Sequence, residues 1–90
     1  MGGERRYRQD SMLPSQEIEG EAVIVVPAKS EMHVLDEVGT FLWTELRRPQ
    51  SAEELARSVC NEFDVGQDQA ENDVRAFLET LMEKGLLTRE

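Results

Sequence analysis

The stretch Ala22-Val23-Ile24-Val25-Val26, closed by Pro27 and followed by Glu31-Met32-His33-Val34-Leu35, decides how this chain is read. β-Branched side chains suit a pleated surface covered by neighbours, so the first run predicts a central strand bounded by Gly20 and Pro27. The second run alternates, with Met32 and Val34 on one face and His33 and Leu35 on the other. Pro27-Ala28-Lys29-Ser30 is the turn between them, and the two runs form an antiparallel hairpin. A weaker strand around Gln16 to Glu19 precedes it, with Glu19-Gly20-Glu21 as its turn. Upstream, residues 1–14 are polar, contain Gly2 and Gly3, show no period and end at Pro14, which predicts a flexible N-terminal arm with Arg5, Arg6 and Arg8 solvated. Residues 15–90 form the domain.

Downstream of Leu35 the period changes from two to 3.6. Asp36 is placed to cap a helix that carries Val38, Phe41, Leu42 and Leu46 on one stripe, with Pro49 at its exit. Ser51-Ala52-Glu53-Glu54 has the form of a capping box, serine at the cap and glutamate three residues on. The helix it opens sets Leu55, Val59 and Phe63 at spacing four, beside Ala52, Ala56 and Cys60, and stops near Asp64-Val65-Gly66. A third helix runs from about Gln67 to Lys84 with Ala70, Val74, Phe77 and Leu81 inward, while Leu78 and Met82 widen its apolar arc. Gly85 is the expected left-handed stop, and Leu86-Leu87 fold back on the last turn. The order, strands and then three helices, predicts an α+β domain.

At 90 residues the chain suits one core. No apolar run approaches the roughly 20 residues that cross a bilayer, and the N-terminus lacks the apolar segment of a secretory signal. With a single cysteine, Cys60, no internal disulfide is available, and a cytoplasmic address is expected. A net charge of −9 opposes nucleic-acid binding, which depends on Lys and Arg displacing counterions from phosphates.

Nothing in the sequence assembles a catalytic group. His33 is the single histidine, and a nucleophilic pair would need it to orient Cys60, which sits on the stripe of Ala52 and Ala56 and reads as a small core residue. Structural zinc wants four Cys or His ligands and the chain holds one of each. Asp64, Asp68, Glu71 and Asp73 lack the alternation and fixed glycine of an EF-hand and read as charge favouring a helix N-terminus. No glycine-rich phosphate loop is present. No enzyme and no cofactor are expected.

Taken in order, Gly20-Glu21-Ala22-Val23-Ile24-Val25, the hairpin, His33-Val34-Leu35-Asp36-Glu37-Val38-Gly39-Thr40-Phe41-Leu42-Trp43, Ser51-Ala52-Glu53-Glu54-Leu55, Glu62-Phe63-Asp64-Val65, and Asp73-Val74 through Phe77-Leu78 to Gly85-Leu86-Leu87 resemble the PqqD family over about residues 16–88. Asp36 stands where that family usually has Asn, and Gly66 where Ser, Asp or Pro often opens the last helix. The resemblance implies a winged-helix-like fold, a three-stranded antiparallel sheet followed by three helices. It implies a peptide chaperone that binds the leader of a ribosomally made precursor peptide and presents it to a modifying enzyme, such as a radical S-adenosylmethionine enzyme. Pyrroloquinoline quinone, lasso-peptide and other pathways stay open.

The strand Glu31 to Leu35 reads as a sheet edge able to accept an added strand. The family's groove, between this strand and the last helix, maps onto Glu31, Met32, His33, Val34 and Leu35 with Arg75, Leu78 and Met82. A carboxylate introduced by Leu78→Asp is then expected to weaken peptide binding and largely spare the fold. Two readings of other classes remain beside it: a winged-helix DNA-binding regulator, opposed by the carboxylates of the last helix, and a dimerisation module burying Leu78 and Met82 between two copies.

Overall fold

A computed structural model describes residues 5–89. Along the chain run β1 (Arg6–Gln9), β2 (Ser15–Ile18), β3 (Glu21–Val26), β4 (Glu31–Val34), α1 (Glu37–Glu45), β5 (Gln50–Ser51), α2 (Ala52–Glu62), α3 (Gln67–Glu83) and β6 (Leu87–Arg89). The expected sheet is β2–β3–β4, antiparallel throughout, with β3 central. Its first turn is two residues long, since Ile18 pairs with Glu21. Both turn residues, Glu19 and Gly20, have positive φ, the backbone that matches strand twist in a tight hairpin.

The Thr40 hydroxyl ties α1 to the sheet, as does the Trp43 Nε1–H, which donates to the Ser15 hydroxyl at 3.2 Å. Thr40, buried, accepts from the Ala22 N–H at 2.8 Å and donates to the Leu35 carbonyl at 3.3 Å, while the Leu35 N–H reaches the Ala22 carbonyl at 2.9 Å. Asp36 caps α1 by accepting from the Gly39 N–H at 2.8 Å. The capping box of α2 is complete, and Gly85 ends the third helix with φ of 75°. Ala22, Ile24 and Val26 of β3 meet Leu42, Trp43, Leu46, Leu55, Ala56, Val59, Ala70, Val74, Leu78, Leu81, Leu86 and Leu87 in one core. Phe41 and Phe63 close its margin edge to face at 5.4 Å.

The segment expected to be a flexible arm contributes a strand. β1 pairs with β5 and β6 in a second three-stranded sheet, which the sequence reading does not contain. Arg6 is accordingly not a solvated arginine: its guanidinium donates to Glu54 Oε1 at 2.8 Å. Gln9 is held twice, its amide donating to the Trp43 carbonyl at 2.6 Å and its N–H to the Leu46 carbonyl at 2.8 Å. Each strand of this sheet is four residues or fewer and gains its order from partners distant in sequence.

Candidate functional site

β4 is an edge strand, and its hydrogen-bond phase is fixed by its exit. In an antiparallel pair alternate residues turn their N–H and C=O toward the partner. Because the Leu35 N–H bonds back to Ala22, His33 and Glu31 also face β3, and the backbone groups of Met32 and Val34 point to the open side of the sheet. Two residues thus offer donors and acceptors in the spacing that an added strand requires.

Side chains follow the opposite logic. His33 lies across from Ile24, which is fully buried in the core, so His33 and Leu35 sit on the helix side of the sheet. Met32 and Val34 pair with Val25 and Val23 on the face turned away from the helices, and are 66% and 56% exposed. The alternation read from sequence holds, but Met32 and Val34 belong to the face that does not meet the last helix. His33 Nε2 is 3.3 Å from Glu31 Oε1 at the strand's outer margin.

The last helix meets this strand through a different residue than the sequence indicates. A Cβ placed on Gly39 would lie 3.3 Å from Leu35 Cβ and 3.4 Å from Phe77 Cε1, which puts the half-buried Phe77 ring beside the junction of β4 and α1. The tightest neighbour of such a Cβ would be the capping Asp36 Oδ1, at 3.0 Å, while the Phe77 ring stands at ordinary contact distance. Leu35 and Val38 are also half-buried and rest against the core, so the helix-side flank of the open edge is apolar.

Arg75 is two residues from Phe77, roughly 200° around an α-helix, and faces elsewhere. With Leu78 and Met82 it lines a separate cavity of about 790 Å³, whose other walls include Tyr7, Glu53 and Arg89. Met32 and Val34 take no part in it. The structure therefore brings Glu31, Met32, His33, Val34 and Leu35 together at one edge and places Arg75, Leu78 and Met82 on the opposite flank of α3. Leu78 is moreover a core residue, 4% exposed. Phe77 was legible only as one member of a wide apolar stripe; nothing local marked it as the member nearest β4.

Among the described residues no three metal-ligating side chains gather. No described helix is long and apolar enough to cross a membrane.

A family model described as coenzyme PQQ synthesis protein D (PqqD) matches residues 21–87. Of solved structures, TbiB1 in complex with the TbiA(beta) leader peptide is 30% identical, with a TM-score of 0.81 over 89% of this chain and 93% of that one. Lasso peptide synthetase B1 complexed with the leader peptide shares the fold at 20% identity, with a TM-score of 0.80 over 91% of this chain and 96% of that one. No curated protein matches the chain.

Proposed function

The chain belongs to the PqqD family, and on that premise we propose that it is a non-catalytic recognition module that binds the leader of a ribosomally made precursor peptide as a fourth strand on β4. The observation that carries this reading is the open edge at Met32 and Val34 beside the apolar flank of Leu35, Val38 and Phe77. It is strengthened by the solved relative at 30% identity, which holds a leader peptide.

Backbone pairing to Met32 and Val34 supplies affinity with little demand on sequence, while leader side chains on the helix side meet Leu35 and Phe77 and supply selectivity. His33 and Glu31 stand at the polar end of the same edge. Bound in this way, the leader tethers the precursor to the modifying enzyme; a radical S-adenosylmethionine enzyme or a peptide-cyclising assembly fits that role. The cytoplasmic address expected from a single thiol agrees with a substrate made by the ribosome.

Calorimetric titration of the precursor's leader segment into the protein tests the function. A one-to-one complex of about micromolar Kd or tighter, near −8 kcal/mol, is expected, with no binding of a scrambled peptide of the same composition. No complex at about a hundred times that concentration would overturn the reading.

A further inference from the structure

The sheet formed by β1, β5 and β6 concentrates positive charge in a chain whose net charge is −9. Arg5, Arg6, Arg8, Arg47, Arg48 and Arg89 lie on its strands or directly before them and make up six of the ten Lys and Arg, while residues 5–9, 46–51 and 87–89 contain no Asp or Glu. Tyr7 pairs with Arg89 across β1 and β6, so their side chains share one face of that sheet, and both line the cavity beside α3. The sheet side brings Arg5 and Arg89 to this cavity, and α3 brings Arg75, Leu78 and Met82. Among the described residues Arg5, Arg75 and Arg89 enter no ion pair. Arg75 has Glu71 and Glu79 four residues away on either side, the spacing at which helical ion pairs form, and pairs with neither. Glu71 instead accepts from the Gln67 amide at 3.0 Å. Glu79 and Glu83 lie roughly 40° and 80° around the helix from Arg75, on the side away from Leu78 and Met82, and both are exposed. Unpaired guanidiniums therefore border the apolar part of the lining, and Glu79 and Glu83 stand farther out.

We propose that this cavity is a second binding site, for an acidic segment of a partner protein that sets carboxylates against Arg75 and Arg89 and an apolar side chain over Leu78 and Met82. Guanidinium binds carboxylate in a bidentate, charge-assisted geometry, and Tyr7 adds an aromatic wall to the apolar floor. A volume of about 790 Å³ takes a short stretch of polypeptide rather than one side chain. A nucleic-acid strand, negative along its whole length, would bring phosphates against Glu79 and Glu83 as well as against the arginines. A peptide places its carboxylates only where guanidiniums stand. The site lies on the flank of α3 away from Phe77 and β4, so it does not rest on the leader reading and stays accessible while a leader strand occupies β4.

Fluorescence anisotropy provides the test, with a labelled synthetic peptide of Asp, Glu, Leu and Phe, its counterpart with Lys in place of Asp and Glu, and an oligothymidylate of equal negative charge. The acidic peptide is expected to bind with a Kd on the order of 10 μM at low salt, and more weakly as salt rises. Arg75→Gln and Arg89→Gln are each expected to weaken it by about tenfold, as loss of a charge-assisted contact does. Serine in place of the peptide's Leu and Phe is expected to weaken it by a similar factor. Both arginines are exposed, so unaltered melting temperatures are expected and establish that the fold is kept. No binding of the acidic peptide up to about 1 mM would overturn the proposal. Equal affinity for the Lys peptide, tighter binding of the oligothymidylate, indifference to both substitutions, or a wild-type dimer made monomeric by Arg75→Gln would overturn it as well. The precursor's leader is then added to the saturated complex, and both peptides are expected to bind together. Displacement of the acidic peptide would make the cavity the leader's own seat and overturn it as a second site. A wild-type protein that binds the acidic peptide and no leader would overturn the function proposed above and not this site.

Discussion

Phe77 and Leu78 are neighbours in sequence with opposite duties. Leu78 is enclosed by the core, so Leu78→Asp places a carboxylate among apolar side chains with no partner. A loss of roughly 3 kcal/mol or more of folding stability is expected in urea denaturation, contrary to the sequence-based expectation that the fold would be spared. Phe77, half-buried beside Leu35, gives up less on truncation: Phe77→Ala is expected to cost roughly 1–2 kcal/mol of stability, below the figure for a fully enclosed ring, and to weaken leader binding by about tenfold or more. A stability loss above 3 kcal/mol with leader affinity intact would return Phe77 to the core. The arc Val74, Phe77, Leu78, Leu81 and Met82 was visible as a broad apolar face, but helical spacing orders residues around an axis and does not say which sheet each flank meets.

A proline scan along β4 separates its two sets of backbone groups. Val34→Pro removes an N–H that points to the open side, a position where edge strands tolerate proline, so the fold is expected to survive and leader binding to fall by about tenfold or more. His33→Pro removes an N–H facing β3 and is expected to destabilise the hairpin itself. Equal leader affinity for Val34→Pro and wild type would rule out strand addition at this edge. At the start of α2 the Ser51 backbone N–H, aided by the Arg6 guanidinium, holds the Glu54 carboxyl below its ordinary value of 4.5. A lowered carboxylate stabilises the folded state fully above the ordinary value and ceases to do so as pH falls through the lower folded one. Urea midpoints measured from pH 6 down to pH 3, on the order of the carboxylate range, are expected to fall less steeply for Glu54→Gln than for wild type. The hairpin and three helices were legible because each carries its own period and caps within one window of sequence. β1, β5 and β6 were not: Arg6-Tyr7-Arg8-Gln9, Gln50-Ser51 and Leu87-Thr88-Arg89 have no apolar alternation, and their order comes from pairing across the length of the chain.

Across the whole molecule α3 has two different flanks, with Phe77 beside the junction of β4 and α1 on one and Arg75 and Met82 lining the cavity with Tyr7 and Arg89 on the other. Two surfaces therefore compete as the leader's seat. The flank beside β4 offers backbone partners in strand spacing; the cavity at Tyr7, Glu53, Arg75 and Arg89 offers side chains of both charges and a floor of Leu78 and Met82. Amide spectra of isotope-labelled protein titrated with the cognate leader distinguish them directly. The largest shifts and slowed hydrogen exchange are expected at Met32 and Val34, with smaller changes at Leu35, Gly39 and Phe77. Changes concentrated at Tyr7, Arg75, Met82 and Arg89, with Met32 and Val34 exchanging as before, would contradict strand addition on β4.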